Sequence, residues 1–226
     1  MEIWPRGRHA AEGEIAGVGE MFRRAVFCLF VATLIGAPGN FAQPAQAAGA
    51  SEFIRALGDE AIRVLQNPAA NLDRREATLR ALLKDGFDIA FLGRFVLAKE
   101  WRRASPEQQS EYQELFGEYI LATYSSRFGG YAGEALTIVD ERPAGKRDVV
   151  VSTRIDRPSG APIRADWRVR ADEDAFRIID VSIEGVSMAI THRSEFGALV
   201  QRSGIDGLIG VLRARAEKMP ATAAVR

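Results

Sequence analysis

From Leu136 to Ile190 the apolar residues of this chain return mostly at every second position, with one slip of phase, whereas before and after that stretch they return at every third or fourth. A period of two builds a strand with one buried face, and a period near 3.6 builds a helix with one buried stripe. Leu136 and Ile138 begin the first strand, and Ala144-Gly145 turns it. Val149, Val151, Thr153 and Ile155 then stand opposite Asp148, Ser152, Arg154 and Asp156. After the turn at Pro158-Ser159-Gly160, Ile163, Ala165, Trp167 and Val169 alternate with Arg164, Asp166, Arg168 and Arg170. Four strands joined by short connections predict an antiparallel meander whose charged face meets solvent. Its apolar face needs a cover, and helices grouped before and after the strands supply one. The fold class read from this is α+β, a four-stranded curled antiparallel sheet covered by a layer of helices, with an apolar cavity between them.

The last strand carries an irregularity. Ile179, Val181 and Ile183 point one way, and Asp180, Ser182 and Glu184 the other. At Gly185 the phase slips by one, so that Val186, Met188 and Ile190 become the apolar set. A one-residue slip at glycine reads as a β-bulge or a sharp bend. Thr191 to Glu195 then reads as a helix start, and the bend would turn Val186 and Met188 towards the space under the sheet.

Ser51 opens a helix with Phe53, Ile54, Leu57, Ala61, Val64 and Leu65 on one side, stopped by Asn67-Pro68. Asp73-x-x-Glu76 resembles a capping box for a second stripe of Leu72, Leu79, Leu82 and Leu83, and Gly86 suits its C-cap. Phe87, Phe91 and Phe95 follow at helical spacing in a short apolar helix ending near Leu97. Ser105-Pro106 opens the longest helix, with Tyr112, Leu115, Phe116, Tyr119 and Ile120 on one face and Gly129-Gly130 at its end. Ser194–Gln201 and Ile205–Lys218 read as two closing helices.

Not all of the chain belongs to this domain. Arg23-Arg24, the apolar run Ala25–Ala37 and Ala45-Gln46-Ala47 form a charged start, an apolar middle and a small-residue end. That is the pattern of a secretory signal peptide, here 21–47, with cleavage after Ala47 and export by the general route. Residues 1–20 read as an extension ahead of the true start at Met21. The single cysteine, Cys28, lies in the apolar run. The exported chain therefore has no disulfide, thiol catalyst or lipid-anchoring cysteine, and residues 48–226 make one domain held by packing alone. With 30 Lys and Arg against 30 Asp and Glu, no nucleic-acid signature is present.

The search for catalytic chemistry is almost empty. No Gly-rich phosphate loop, G-x-S-x-G run or metal-ligand spacing occurs, and His192 is the one histidine of the exported chain. His192 with Asp180 could serve as an acid–base pair of a small α+β enzyme; the simpler reading is a capping histidine at the bend. Asp180 and Glu184 share a strand face, as paired catalytic carboxylates would, or as partners of Arg168 or Arg170 on the next strand. The larger signal is aromatic supply, which suits either a plain core or the lining of an apolar cavity.

Three runs carry a resemblance. They are Arg94-Phe-Val-Leu-Ala-Lys-Glu-Trp-Arg-Arg-Ala-Ser-Pro-Glu-Gln-Gln-Ser-Glu-Tyr, Leu115-Phe-Gly-Glu-Tyr-Ile-Leu-Ala-Thr-Tyr, and Glu184-Gly-Val-Ser-Met-Ala-Ile-Thr, the last followed by Glu195-Phe-Gly-Ala-Leu-Val and Gly204-Ile-Asp-Gly-Leu. In this order they resemble the MlaC family, also called the toluene-tolerance family, over essentially the whole exported chain. The resemblance implies a periplasmic carrier that shuttles phospholipid between the outer and inner membranes, without cofactor, metal or catalytic triad. It implies as partners an outer-membrane lipoprotein complex and an inner-membrane ABC transporter with an MCE-domain protein. A related branch handles hopanoids. The expected tail pocket draws on Phe91, Phe95, Trp101, Phe116, Tyr119, Ile120, Val151, Ile155, Trp167, Val181, Ile183, Val186, Met188 and Phe196, whose apolar faces converge from several elements.

Overall fold

A computed structural model describes residues 43–67, 70–125, 133–172 and 175–218. The expected extension 1–20 and the expected signal segment as far as Ala42 lie outside the described residues, as do Pro68, Gly129-Gly130 and Glu173-Asp174. The elements run α1 (Gln43–Gln66), α2 (Leu72–Gly86), α3 (Ile89–Leu97), a 3-10 turn (Ala98–Arg102), α4 (Pro106–Ser125), β1 (Ala135–Pro143), β2 (Asp148–Asp156), β3 (Ile163–Asp172), β4 (Ala175–Ile183), β5 (Val186–Ser187) and α5 (Met188–Lys218). Helices flank an open antiparallel sheet in the order β1-β2-β3-β4-β5, so the expected α+β meander is the observed one with a fifth, two-residue strand.

That fifth strand corrects the reading of Gly185. Glu184 (φ 49°) and Gly185 (φ 81°) both take left-handed backbone, and Ile183 pairs with Val186. Positive φ at both central residues is the signature of a two-residue hairpin of the primed type. The phase slip is therefore a chain reversal, and it leaves Val186 55% exposed. The bulges lie elsewhere. Arg168 pairs with Asp180 and Val169 with Ile178, so Ile179 is an extra residue in β4, and Val139 is likewise extra in β1. The β4 bulge resets the parity of the strand. As a result Ile178 and Val181, three residues apart, both join the helix-facing core.

Helix ends also moved. α1 opens at Gln43, ahead of Ser51, because the alanine-rich segment favours helix without any apolar period to reveal it. The expected cleavage after Ala47 falls inside this helix. α2 is capped by Asn71, whose side chain accepts from Arg74 N–H at 2.9 Å, and not by Asp73. Gly86 is the last helical residue and Phe87 its C-cap. Asp88 caps α3 by accepting from Phe91 N–H at 2.8 Å. Phe87 therefore stands outside α3 and bridges to Ile178, so the three rings do not share one helical face. The start of α4 is as expected: Ser105 Oγ accepts from Gln108 N–H, and the Gln108 side chain accepts from Ser105 N–H at 3.0 Å. The two closing helices form one element broken at Gly204 (φ 70°).

Two cores result. Ala50 and Ile54 of α1 pack on Val149, Val151, Val169 and Ile178 of the sheet. Leu92, Val96, Tyr112, Phe116, Phe196, Leu208 and Leu212 form a second core among α3, α4 and α5. Phe87 touches both. α1 lies across β1, β2 and β3, whereas α2, α3 and α5 meet the sheet at β4.

The other sheet row carries charge. Asp148, 7% exposed, accepts from Arg168 at 2.8 Å and from Arg170 at 2.8 Å. Burial pushes its carboxyl up, but hydrogen bonds and charge from Arg170 and Arg168 outweigh this and hold it below the usual carboxylate range. A carboxylate with a lowered folded pKa stabilises the fold above its unfolded value, about pH 4, and loses that contribution as pH falls through the folded value. Asp148→Asn should lower urea-unfolding stability at pH 7 by about 1–3 kcal/mol, and the gap from wild type should narrow as pH falls below the unfolded carboxylate value of about 4. An equal gap above and below that value would contradict it. At the hairpin, a Cβ on Gly185 would meet nothing within 4 Å, so only backbone strain opposes a side chain there. Gly185→Ala should cost about 1–2 kcal/mol in thermal unfolding.

Candidate lipid-binding cleft

α1 and α2 do not close fully onto the sheet. Between them and the first strands lies a cleft of about 260 Å³. Ile54, Leu57, Gly58, Ala61, Ile62 and Leu65 of α1 form one wall, at the i, i+3, i+4, i+7 spacing of a single helical stripe. Leu79, Leu82 and Leu83 of α2 form the second, with Phe87 behind them. Glu134, Ala135 and Leu136 at the start of β1, with Ile155 of β2 and Trp167 of β3, form the floor.

Glycine keeps the walls close. A Cβ on Gly86 would stand 3.2 Å from Leu57, and one on Gly58 3.4 Å from Leu136. Trp167 Nε1–H donates to Thr153 Oγ1 at 2.9 Å, and Thr153 Oγ1 donates to the Ala165 carbonyl at 3.1 Å. The indole polar atom is thus satisfied within the sheet, and its apolar face is left to the cleft. Glu134 is the one charged side chain among the described lining residues. Such a surface can hold an apolar chain by burial alone, and it offers no nucleophile, proton-transfer pair or cation ligand set. Among the described residues no group of three or more His, Cys, Asp or Glu is placed to hold a metal.

Of the residues expected to line the tail pocket, the cleft brings together Ile155 and Trp167. Val151 is fully buried in the sheet core beside it, and Val181 packs on that core. Phe116, Ile120 and Phe196 are buried in the helical core, with Phe95, Trp101 and Tyr119 against its edge. Phe91 stacks on Phe95 with ring centres 6.0 Å apart. Ile183 and Met188 are half-buried, and Val186 is exposed. The aliphatic stripes of α1 and α2 supply most of the lining. Their periodicity is that of ordinary helix faces, so no local signal separates them from core.

The two residues of the possible acid–base pair have different tasks. Asp180 accepts from Ser187 Oγ at 2.6 Å and from Ala189 N–H at 3.1 Å, and Ser187 Oγ accepts from Ile190 N–H. Asp180 therefore fastens the start of α5 to β4. His192 shares a hydrogen bond with the Tyr124 hydroxyl at 2.9 Å and lies 3.4 Å from Glu195. Glu184 accepts from Arg164 N–H at 2.7 Å, and Arg168 and Arg170 go to Asp148.

Comparison with known proteins meets this geometry. The chain is 25% identical over 126 residues to the intermembrane phospholipid transport system binding protein MlaC of Haemophilus influenzae, covering 54% of this chain and 59% of that one. It is 21% identical over 105 residues to toluene tolerance protein ttg2D of Pseudomonas putida, covering 46% and 49%. The chain thus spans about half the length of the curated relatives it matches. A solved structure of the phospholipid-binding protein from Ralstonia solanacearum, in complex with a phospholipid, shares the fold with a TM-score of 0.64 at 22% identity, over 75% of this chain and 98% of that one. The family described as MlaC protein matches residues 55–214, a span that takes in the second half of α1, the cleft lining apart from Ile54, the sheet and most of α5, and on that match this chain belongs to the MlaC family.

Proposed function

We propose that this chain is a periplasmic phospholipid carrier whose acyl tails enter the cleft between α1, α2 and the sheet. The observation that carries the reading is the cleft itself, in which Glu134 is the one charged lining side chain and the Trp167 N–H is already paired. Family membership and the name of the Haemophilus relative support a binding and transport role over an enzymatic one. Export through the signal peptide 21–47, release after Ala47, and exchange with an outer-membrane lipoprotein complex and an inner-membrane ABC transporter bearing an MCE-domain protein complete the proposal.

The energetics favour such a carrier. Each buried methylene is worth about 0.8 kcal/mol, so one long tail gains on the order of 10 kcal/mol against water. A free lipid therefore does not cross an aqueous gap at a useful rate. An apolar cleft offers the tail an environment close to that of the bilayer, so transfer from membrane to protein is nearly balanced. A balanced carrier sets no direction, which must come from its docked partners. Ligand pockets generally measure about 300–1,000 Å³, and the cleft of about 260 Å³ admits part of a lipid. Full loading requires α1 and α2 to move apart, a motion for which their aliphatic contacts carry no hydrogen-bond penalty.

Protein purified from its native envelope, extracted with organic solvent and analysed by mass spectrometry should yield stoichiometric phospholipid. Hopanoid in its place would assign the chain to the related branch, and no lipid would refute the carrier. Ala61→Trp should fill the cleft and abolish the lipid load while the circular dichroism spectrum is kept. A filled variant that retains its full load would place the tails elsewhere. Trp167→Asp should also empty the cleft, by putting a charge on its floor.

A further inference from the structure

A second concave surface lies apart from the cleft, between α3 and α5. Phe95, Ile190, Gly197 and Ala198 line it together with the polar Arg193, Ser194 and Gln201. Ile190 is 58% exposed, and exposed Val186 lies four residues before it in β5. Gly197 sits within a helix, where glycine is less stable than alanine by about 0.5–1 kcal/mol. A Cβ there would meet nothing within 4 Å, so no contact inside the chain calls for glycine at this position. Its effect is outward: it keeps a notch open beside Ile190 and Phe95.

The one charged side chain among the described lining residues of this groove is a cation, Arg193. Arg193 lies over the Phe95 ring at 5.2 Å, Phe95 stacks on Phe91, and Arg170 lies over Phe91 at 4.6 Å. Arg170 is held by Asp148, but Arg193 has only the ring among the described residues. Arg94, beside Phe95 on α3, and Arg202, one turn beyond Ala198 on α5, are exposed, and neither pairs with a carboxylate of the described residues. Of the nearby acids, Glu100 pairs with Arg103, while Glu195, beside His192, and Glu184, which accepts from Arg164 N–H, keep their charge but do not line the groove. A guanidinium laid on a ring keeps its planar fork of donors preoriented for a carboxylate.

We infer that the α3–α5 groove is a docking site for an acidic amphipathic helix of a partner protein, its apolar side entering the notch at Gly197 and its carboxylates meeting Arg94, Arg193 and Arg202. The concave shape between two helices suits an inserted helix better than a flat bilayer. The surface is separate from the residues that line the lipid cleft, so a docked partner leaves the cleft free. The inference therefore does not require the lipid reading to hold.

The test uses the exported chain, purified with whatever lipid it carries, and a synthetic helix of about 18 residues with leucine at i, i+3, i+4 and i+7 and glutamate elsewhere. Its lysine counterpart is the control. The glutamate peptide should shift amide resonances of Phe95, Ile190 and Gly197, and its affinity should fall as salt rises. Gly197→Gln, which favours the helix and fills the notch, and Arg193→Glu should each weaken it by about tenfold, while bound lipid stays at the wild-type level and the melting temperature of Gly197→Gln does not fall. Equal binding of both peptides, or an unchanged affinity in Gly197→Gln, overturns the proposal. So does wild-type binding to phosphatidylglycerol vesicles without peptide binding, which would make the face a membrane contact, or a dimer lost in Gly197→Gln, which would make it a self-contact. Peptide binding by a protein that carries no lipid would leave the docking site standing and refute the carrier.

Discussion

The structure depends on the apolar face of an open sheet that packing alone must cover. Val149, Val151, Val169 and Ile178 form a continuous patch, and α1 meets it through Ala50 and Ile54. No disulfide within the chain can hold the layers if this cover fails, since the chain has one cysteine, Cys28. The first half of α1 seats tightly on the sheet, whereas its second half shares its stripe with α2. Ile54 belongs to both the sheet core and the cleft wall, so it marks the point where close packing gives way to an open space. Cleft and core are thus two ends of one interface.

The helical core keeps that interface in place without taking part in it. Tyr112 illustrates how: fully buried, it donates its hydroxyl proton to the Gly93 carbonyl at 3.0 Å, and burial pushes its phenol well above its ordinary value. It stays a neutral bolt between α3 and α4. Gln113 adds a bond to the Ile89 carbonyl, and Asp180 fastens α5 to β4. From Asp148 through Arg170 and the stacked Phe91 and Phe95 to Arg193, charge and rings alternate in one ladder linking sheet, α3 and α5. The aromatic wealth of α3 and α4 therefore makes a stiff frame, and aliphatic residues that can slide past one another line the cleft.

Much of the fold was legible in the residues. The alternation around Trp167 set β3 and its register partners, and Ser105-Pro106 marked the start of α4. The candidate site was less legible. Lining and packing demand the same residue types, so Phe116 and Leu57 cannot be told apart by periodicity, although one is buried in the helical core and the other faces open space. Aromatic size drew attention to α3, α4 and α5, while the cleft lies where two leucine and isoleucine stripes fall short of the sheet. The bulge at Ile179 was equally hidden, because an extra residue in a strand is defined by its partner strand.

By itself the sequence determined the period switch, hence helices around an antiparallel meander, and it carried a family resemblance through short ordered runs. It also determined that residues 48–226 hold no cysteine and one histidine, His192. Only the tertiary structure decided that Glu184-Gly185 reverses the chain, that Phe87 leaves its helix to bridge two cores, and that the open volume lies beside α1 and α2. The physical reason is that local pattern dictates which face of an element is apolar, whereas a cavity is a mismatch between faces. Such a mismatch exists only once the elements have met.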